Sequence, residues 1–123
     1  MEIKELTRAE EQLMQILWQL QKGFIKDIIE ELPEPKPAYN TVSTIIRILE
    51  TKGFVDHQAF GKTHEYFPVI RKEEYQNFAT DKLMNGYFDN SVQHMFSYFV
   101  KKEKIDMKEA DEIMKLIEKL KNK

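Results

Sequence analysis

The strongest constraint on the fold of this chain is a change of hydrophobic period at Gly53. Before Gly53, apolar residues recur every three or four positions, which is the period of amphipathic helices. After it, the segments 54–60 and 63–67 have the character of strands, and Gly61 and Lys62 between them suit a two-residue type II′ turn. Pro68 ends the second segment. The sequence therefore predicts helices followed by one antiparallel hairpin.

Three helices are predicted before the hairpin. Thr7 and Glu10 form a capping-box pattern that opens the first, and Gly23 is expected to end it. Pro33 ends the second, and the proline-rich stretch that follows is interpreted as a connecting loop rather than a ligand for proline-binding domains. The apolar stripes consist of Leu13, Ile16, Leu17 and Leu20 in the first helix, and of Ile25, Ile28, Ile29 and Leu32 in the second.

The third predicted helix, Asn40 to Lys52, has two unlike faces. Its apolar face consists of Val42, Ile45, Ile46 and Leu49, and its opposite face of Asn40, Ser43, Thr44, Arg47 and Thr51, with Thr41 beside it. A solvated helix face usually carries Glu and Lys, which favour helices more than Ser, Thr and Asn do. Short hydroxyl and amide side chains allow a helix to enter the DNA major groove. A surface that merely tolerates Ser and Thr is the alternative.

Three helices followed by a hairpin, with a polar third helix, is the order of a winged helix-turn-helix module. In that module the third helix lies in the major groove, and the hairpin tip would bring Gly61 and Lys62 to a phosphate or an adjacent minor groove. His64 and Tyr66 share one face of the second strand. Tyr66 is a candidate for a contact with the DNA backbone, and a structural role in the small sheet is the alternative.

The remaining segment is predicted to form three further helices that cannot close a core by themselves, because roughly 50 residues are marginal as an independent domain. We expect a break near Gly86, a cap at Asp89 or Asn90, and a capping box at Asp106 and Glu109. The residues expected to pair with a second copy of the chain are Phe78, Val92, Met95, Phe96, Phe99, Ile113, Ile117 and Leu120.

The predicted fold is therefore mainly α-helical with a small antiparallel β-hairpin. A winged-helix DNA-binding domain is expected over residues 1–71, and a helical dimerisation domain over residues 72–123. The net charge of the chain is −2, but the segment from Lys36 to Lys62 contains four cationic residues and two carboxylates, a local excess of two positive charges (4 − 2). Contact with DNA would therefore have to come from a local patch.

Composition argues against several other functions. The chain has no cysteine, which excludes disulfides and thiolate chemistry, and no apolar run near the ~20 residues of a membrane span. Its first residues do not resemble a signal peptide, so a cytoplasmic location is expected. No phosphate-binding loop or nucleophile motif is present, so no catalytic residue is predicted. His57, His64 and His94 lack the spacing of metal ligands, so neither a metal nor a cofactor is expected.

Several stretches match a known family in order and spacing. They are Leu6–Glu10 with Ile16–Trp18, Tyr39–Thr44 through Leu49 and Lys52–Gly53, Gly61 with Tyr66–Pro68, and Met95–Phe99. In these stretches the chain resembles the penicillinase repressor family of bacterial winged-helix regulators. The resemblance implies a repressor that binds an inverted-repeat DNA operator as a homodimer. It places the third helix and the wing on DNA, and the C-terminal helices at the dimer interface.

The resemblance also implies a means of control. In the beta-lactam-responsive members, a regulatory protease pathway cuts the repressor at a position that aligns here with the Tyr98–Phe99 bond. The alternative is that both residues are ordinary interface aromatics. Copper-responsive members carry a C-terminal cysteine cluster, so copper sensing is not expected here. The competing function is a winged-helix protein–protein interaction module without sequence-specific DNA binding, which the net negative charge would suit.

Overall fold

The computed structural model describes residues 2–121, which form six helices and a two-stranded antiparallel sheet. The order is α1 (Arg8–Leu20), α2 (Ile25–Glu31), α3 (Tyr39–Thr51), β1 (Val55–Phe60), β2 (Thr63–Pro68), α4 (Lys72–Tyr87), α5 (Val92–Lys101) and α6 (Met107–Lys121). The predicted class, mainly helical with one hairpin, is confirmed. No helix in the described part is long and apolar enough to cross a membrane.

The start of α1 is fixed by the predicted capping box. The Thr7 hydroxyl accepts a hydrogen bond from the Glu10 amide at 3.2 Å, and the Glu10 carboxylate accepts one from the Thr7 amide at 2.8 Å. Two backbone donors that no helical carbonyl can reach are satisfied in this way. The capping box is therefore confirmed.

Gly23 has a different role from the one predicted. Helix α1 ends at Leu20, and Gln21, with φ 72°, supplies the left-handed cap. Gly23 instead exchanges two backbone hydrogen bonds with Tyr66, at 2.9 and 2.8 Å, in an antiparallel bridge. The prediction that Gly23 ends the helix was wrong. Its backbone extends the hairpin by one short strand segment, which joins the α1–α2 connection to β2.

A single core holds the first three helices and the hairpin together. Its fully buried side chains are Met14, Leu17, Ile28, Val42, Ile46, Leu49 and Phe54. Burying a side chain of this kind contributes roughly 1.5–3 kcal/mol relative to leaving it exposed. Tyr75 at the start of α4 joins this core, because its hydroxyl accepts the Leu6 amide at 3.0 Å and its ring contacts Trp18 and Phe54.

The chain divides into two compact units, Met1–Ala79 and Thr80–Lys123. The sequence placed the boundary between residues 71 and 72, at the start of α4. The structural division lies within α4 because Tyr75 and Phe78 pack on the core of the first unit. Helix α4 thus carries residues of both units.

The second unit departs from the sequence prediction at its turns. Helix α4 ends at Tyr87, so the expected break near Gly86 is confirmed, although Gly86 itself stays inside the helix, at a cost of about 1 kcal/mol, and does not form the turn. The turn instead uses Asp89 and Asn90, whose φ angles of 51° and 59° are tolerated by these residue types. Neither caps α5: Ser91 does, accepting the His94 amide at 3.0 Å.

Helix α6 begins where predicted. The Asp106 carboxylate accepts the Glu109 amide at 2.8 Å, which is one half of the expected capping box. The start of this helix was therefore predicted correctly from the short polar side chain that precedes the apolar stripe.

An ion pair joins the beginning of α1 to the end of α3. Glu10 is only 5% exposed, and its carboxylate lies 2.7 Å from the Lys52 ammonium. Burial by itself would raise the pKa of Glu10, but the hydrogen bonds from Lys52 and Thr7 and the positive charge of Lys52 outweigh it, so that the pKa lies below 4.5. The ionised carboxylate is therefore the form that the folded chain stabilises.

Replacing Glu10 by Gln should lower the free energy of unfolding near pH 7 by about 1–3 kcal/mol, because Lys52 then keeps a partly buried charge without its partner. The folded-state pKa lies below the unfolded value, so the stabilisation is present above pH 4.5 and is lost as pH falls through the folded-state pKa. Urea unfolding across this range should show the difference between wild type and Glu10→Gln shrinking at acid pH. The exposed neighbour Glu11→Gln is the control, and equal stability of Glu10→Gln and wild type at pH 7 would refute the assignment.

Candidate nucleic-acid interface

Helix α3 is held in one rotational setting by three buried side chains. Val42, Ile46 and Leu49 lie in the core with almost no exposure. The residues exposed on the rest of the helix are Tyr39, Asn40, Thr41, Thr44, Arg47, Ile48 and Thr51. Four of the predicted DNA-contacting residues of this helix are therefore on its surface: Asn40, Thr41, Thr44 and Arg47.

Ser43 is the position where the predicted outer face was wrong, and Ile48 is an exposed residue that had been assigned to neither face. Ser43 is only 7% exposed, whereas the sequence analysis placed it on the outer face. It borders the apolar stripe, one residue after Val42 and three before Ile46, so it turns inward with them. Ile48 is 42% exposed on the outer side, between Thr44 and Thr51 along the helix. Because Ile48 is apolar, it was not recognised as a surface residue. Residues four apart share a helix face, however, so its spacing from Thr44 indicates that it lies on the outer side.

The hydroxyls of Thr44 and Thr51 on this surface are already bonded to the helix backbone. Thr44 Oγ1 donates to the Asn40 carbonyl at 2.9 Å, and Thr51 Oγ1 donates to the Arg47 carbonyl at 3.0 Å. Each hydroxyl has a single proton, so its oxygen lone pairs and the methyl group remain for a partner. Such a side chain can accept a hydrogen bond from a base amino group or contact a thymine methyl.

Cations available for phosphate are fewer than the charge count suggested. Lys52 is paired with Glu10, and the Lys36 ammonium donates to the carbonyls of Glu30 and Leu32, at 2.8 and 2.6 Å. Arg47 and Lys62 have no carboxylate within 4.0 Å among residues 2–121. Both therefore remain free to meet an anionic partner.

Lys26 adds a cation that the sequence analysis did not single out. It is exposed on α2 and lines a groove together with Phe24, Ile25, Tyr39, Thr63 and His64. The groove thus runs from α2 past the first residue of α3 to β2. Only the tertiary packing brings these segments together, so no local sequence signal marks Lys26.

The tip of the hairpin has the predicted geometry. Phe60 pairs with Thr63, so Gly61 and Lys62 form a two-residue turn. Gly61 has φ 64°, whereas Lys62 is not among the residues with positive φ, as a type II′ turn requires. Both residues are exposed, and a Cβ at Gly61 would meet no atom within 4 Å. Glycine is needed there for its backbone angle, and the tip is open to a partner.

Tyr66 is a structural residue of the small sheet. Its side chain is 4% exposed in the core, and its backbone makes the bridge to Gly23. Burial raises the pKa of Tyr66, and the nearby Glu50 carboxylate raises it further. A side chain that contacts DNA would have to lie at the surface, and that of Tyr66 is buried instead. Of the two interpretations, a structural role in the sheet therefore fits its environment.

Side-chain contacts join the last turn of α3 to both strands of the hairpin. His57 Nδ1 on β1 lies 2.7 Å from Glu50 Oε2 on α3, and the His57 ring stacks on His64 of β2 with centroids 4.1 Å apart. The base of the hairpin is thereby fixed to the helix whose outer face carries Thr44 and Arg47. No local sequence pattern indicates this link, because it depends on the hairpin register and on the rotation of α3.

The chain is similar to one protein family and to several individual repressors. The family model described as penicillinase repressor matches residues 6–119. Methicillin resistance regulatory protein MecI of Staphylococcus aureus (strain N315) is 25% identical over 116 residues, 94% of each chain. The penicillinase repressor of Bacillus licheniformis is 22% identical over 122 residues, which cover 98% of this chain and 95% of that protein.

Two solved structures are similar to the chain. The solution structure of the DNA-binding domain of the repressor BlaI has a TM-score of 0.53 and 25% identity, and the match covers 60% of this chain and 92% of that one. The complex structure of hsRosR-S4 has a TM-score of 0.55 at 14% identity, covering 83% and 91%. The second likeness concerns the fold alone. The first matches the predicted winged-helix fold.

Proposed function

The chain belongs to the penicillinase repressor family of DNA-binding transcriptional repressors, and we propose that it binds an inverted-repeat operator as a homodimer. The observation that carries this proposal is the outer face of α3, where Asn40, Thr44 and Arg47 are exposed beside a hairpin fixed to the same helix. Members of this family are regulators, which is not an enzyme class. The first unit would contact DNA, and the second would hold the two protomers together.

In the proposed complex α3 lies in the major groove. The Asn40 amide suits adenine, the Arg47 guanidinium suits guanine or a phosphate, and the methyl groups of Thr44 and Ile48 suit thymine. Thr41 lies at the edge of this surface. Ser43 is left out because its side chain is buried.

The wing would add contacts to the DNA backbone. Lys62 at the exposed tip would meet a phosphate, and Gly61 lets the main chain approach closely because it carries no side chain. Lys26 would meet a second phosphate from α2. These contacts position the module on the duplex, whereas sequence preference comes from α3.

The small number of free cations favours a dimer. Because Lys36 and Lys52 are bonded within the chain, one protomer offers little more than Lys26, Arg47 and Lys62 near the interface. Non-specific affinity for DNA comes mainly from such charges, so a single module would bind weakly at physiological salt. Two linked modules on adjacent half-sites gain affinity because the second contact becomes intramolecular.

Replacing Arg47 by Ala should weaken operator binding by about 1–3 kcal/mol, roughly 5- to 150-fold, without unfolding the protein, because Arg47 is exposed and makes no ion pair with any residue from 2 to 121. Replacing Thr44 by Ala should instead relax preference at particular base positions. Both are measured by fluorescence anisotropy, with the operator and with a panel of single-base variants.

Matched controls are available on other elements. Arg8→Ala on α1 and Thr80→Ala on α4 change exposed residues of the same types outside the proposed interface. They should bind the operator as wild type does. Unchanged affinity and base preference in both Arg47→Ala and Thr44→Ala, with circular dichroism unaltered, would contradict the assignment of α3.

The dimer interface is proposed on α5 and α6. Neither helix has a buried residue, although each has a pronounced apolar face. Of the residues predicted to pair, Val92, Ile117 and Leu120 are exposed and Met95, Phe96, Phe99 and Ile113 are half-buried. Phe78 is different, because it packs on Tyr75 in the first unit and is left out of the interface. A second copy of the chain would cover the remaining stripe.

Introducing a carboxylate into the stripe should separate the protomers. Ile117→Asp is expected to raise the dimer dissociation constant at least about tenfold, or 1.4 kcal/mol, because the charge would be buried against the partner. Sedimentation equilibrium measures this change, and Lys115→Asp on the opposite face of α6 serves as the control. A wild-type chain that sediments as a monomer at every concentration would disprove the proposed assembly.

Proteolysis is proposed as the means of relieving repression. The Tyr98–Phe99 bond lies within α5, and both rings contact Phe88. A protease needs extended substrate, so α5 must open locally before it is cut. Cleavage would detach α6 and half of the apolar stripe and weaken the dimer by mass action. Under the alternative both rings serve only in packing and dimerisation.

Mass spectrometry of the protein from host cells exposed to a beta-lactam distinguishes controlled cleavage at the Tyr98–Phe99 bond from a role of both rings in packing alone. Controlled cleavage predicts a fragment ending at Tyr98 that accumulates as operator occupancy falls. A Phe99→Asp variant is unsuitable because it would disturb the dimer, so untreated cells serve as the control. Loss of operator occupancy with the chain intact would contradict cleavage.

A further inference from the structure

Three atoms that commonly bind metal ions converge where α3 meets the hairpin. A carboxylate oxygen of Glu50, a carboxylate oxygen of Asp56 and a ring nitrogen of His57 all lie within 4.8 Å of one another. We propose that these residues form a binding site for a divalent transition-metal ion of the Zn²⁺ type. All three residues belong to the first unit, and the spacing of the histidines in the sequence did not indicate the site.

The interatomic distances suit one ion with small side-chain adjustments. His57 Nδ1 lies 2.7 Å from Glu50 Oε2 and 4.0 Å from Asp56 Oδ1. Ligand bonds of about 2.0–2.2 Å in tetrahedral geometry place neighbouring ligand atoms about 3.3 Å apart, between these two values. Asp56 is 63% exposed and the other two side chains 30%, so each has room to rotate.

The chemistry of the three groups favours a transition metal. An imidazole nitrogen with two carboxylates suits Zn²⁺ and its neighbours, whereas Mg²⁺ and Ca²⁺ prefer oxygen ligands alone. No Lys or Arg lies within 4.0 Å of either carboxylate in the described part of the chain. The two negative charges are therefore left for a dication to neutralise. Water would complete the coordination.

Metal binding replaces the hydrogen bond between His57 and Glu50 rather than adding to it. Nδ1 must offer its lone pair to the ion, so the neutral imidazole carries its proton on Nε2. The stacked ring of His64, 4.1 Å away, helps to hold the His57 ring in place. The backbone amide of His57 donates to Asp56 Oδ1 at 2.7 Å and orients that carboxylate.

An ion at this position would cross-link α3 to the hairpin. Glu50 belongs to α3, whereas Asp56 and His57 belong to β1. This consequence rests on the proposed function: fixing the wing before DNA arrives reduces the conformational freedom lost on binding and so raises operator affinity. The binding site itself does not depend on DNA and can be tested without it.

Titration of metal-free full-length protein with Co²⁺ and Zn²⁺ tests the site. Calorimetry should give one strong site per chain, and Co²⁺ should develop visible absorption bands that Zn²⁺ abolishes. His57→Ala and Asp56→Asn should each weaken binding at least about tenfold. His94→Ala, which removes an exposed histidine of the second unit, should leave the affinity unchanged.

Affinity for Zn²⁺ that is the same in wild type and His57→Ala would overturn the proposal. If His57→Ala fails to fold, the exposed Asp56→Asn takes its place, and an affinity for Zn²⁺ equal to that of wild type would likewise overturn the proposal. Operator affinity is then measured with and without Zn²⁺: an increase in wild type that Asp56→Asn lacks supports the cross-link, and no increase refutes it. Operator binding by the metal-free protein separates failure of this site from failure of the repressor function.

Discussion

The rotation of α3 about its own axis is the constraint on which the remaining structure depends. Val42, Ile46 and Leu49 are buried with almost no exposure, and each contributes roughly 1.5–3 kcal/mol by leaving water. Turning the helix by one residue, about 100°, would expose part of this stripe and bring Arg47 toward the core, where an unpaired charge is costly. Packing inside the domain therefore determines that Thr44 and Arg47 face outward.

The hairpin is attached to this helix by contacts of several kinds. The backbone bridge between Gly23 and Tyr66 joins β2 to the α1–α2 connection, and the Glu50–His57 hydrogen bond joins β1 to the last turn of α3. Neither attachment uses the exposed α3 residues Asn40, Thr44 or Arg47. The helix proposed to read bases and the tip proposed to meet the DNA backbone are thus held at a fixed spacing by groups that need not touch DNA.

Features with a local cause were predictable from the sequence, whereas those that depend on tertiary packing were not. The capping box at Thr7 and the type II′ turn at Gly61 follow from the chemistry of neighbouring residues, and both were correct. The burial of Ser43 depends on the core against which α3 packs. The meeting of Glu50 with His57 requires the hairpin register and the helix rotation together. Most outer-face residues of α3 were accordingly predicted correctly, but Ser43 was assigned to the wrong side and Ile48 to neither side.

A repressor with net charge −2 must bind DNA through a few placed cations, and this gives the most direct test of the account. The measurement is the affinity for a duplex, selected from host genomic fragments, as a function of salt concentration. Each protomer offers three cations, Lys26, Arg47 and Lys62. The predicted slope of log K against log salt is roughly −3 if the cations of one protomer contact phosphate and roughly −5 if those of both protomers do. A partner bound without salt dependence, and no duplex preferred over random DNA, would contradict the account and favour a protein-interaction module.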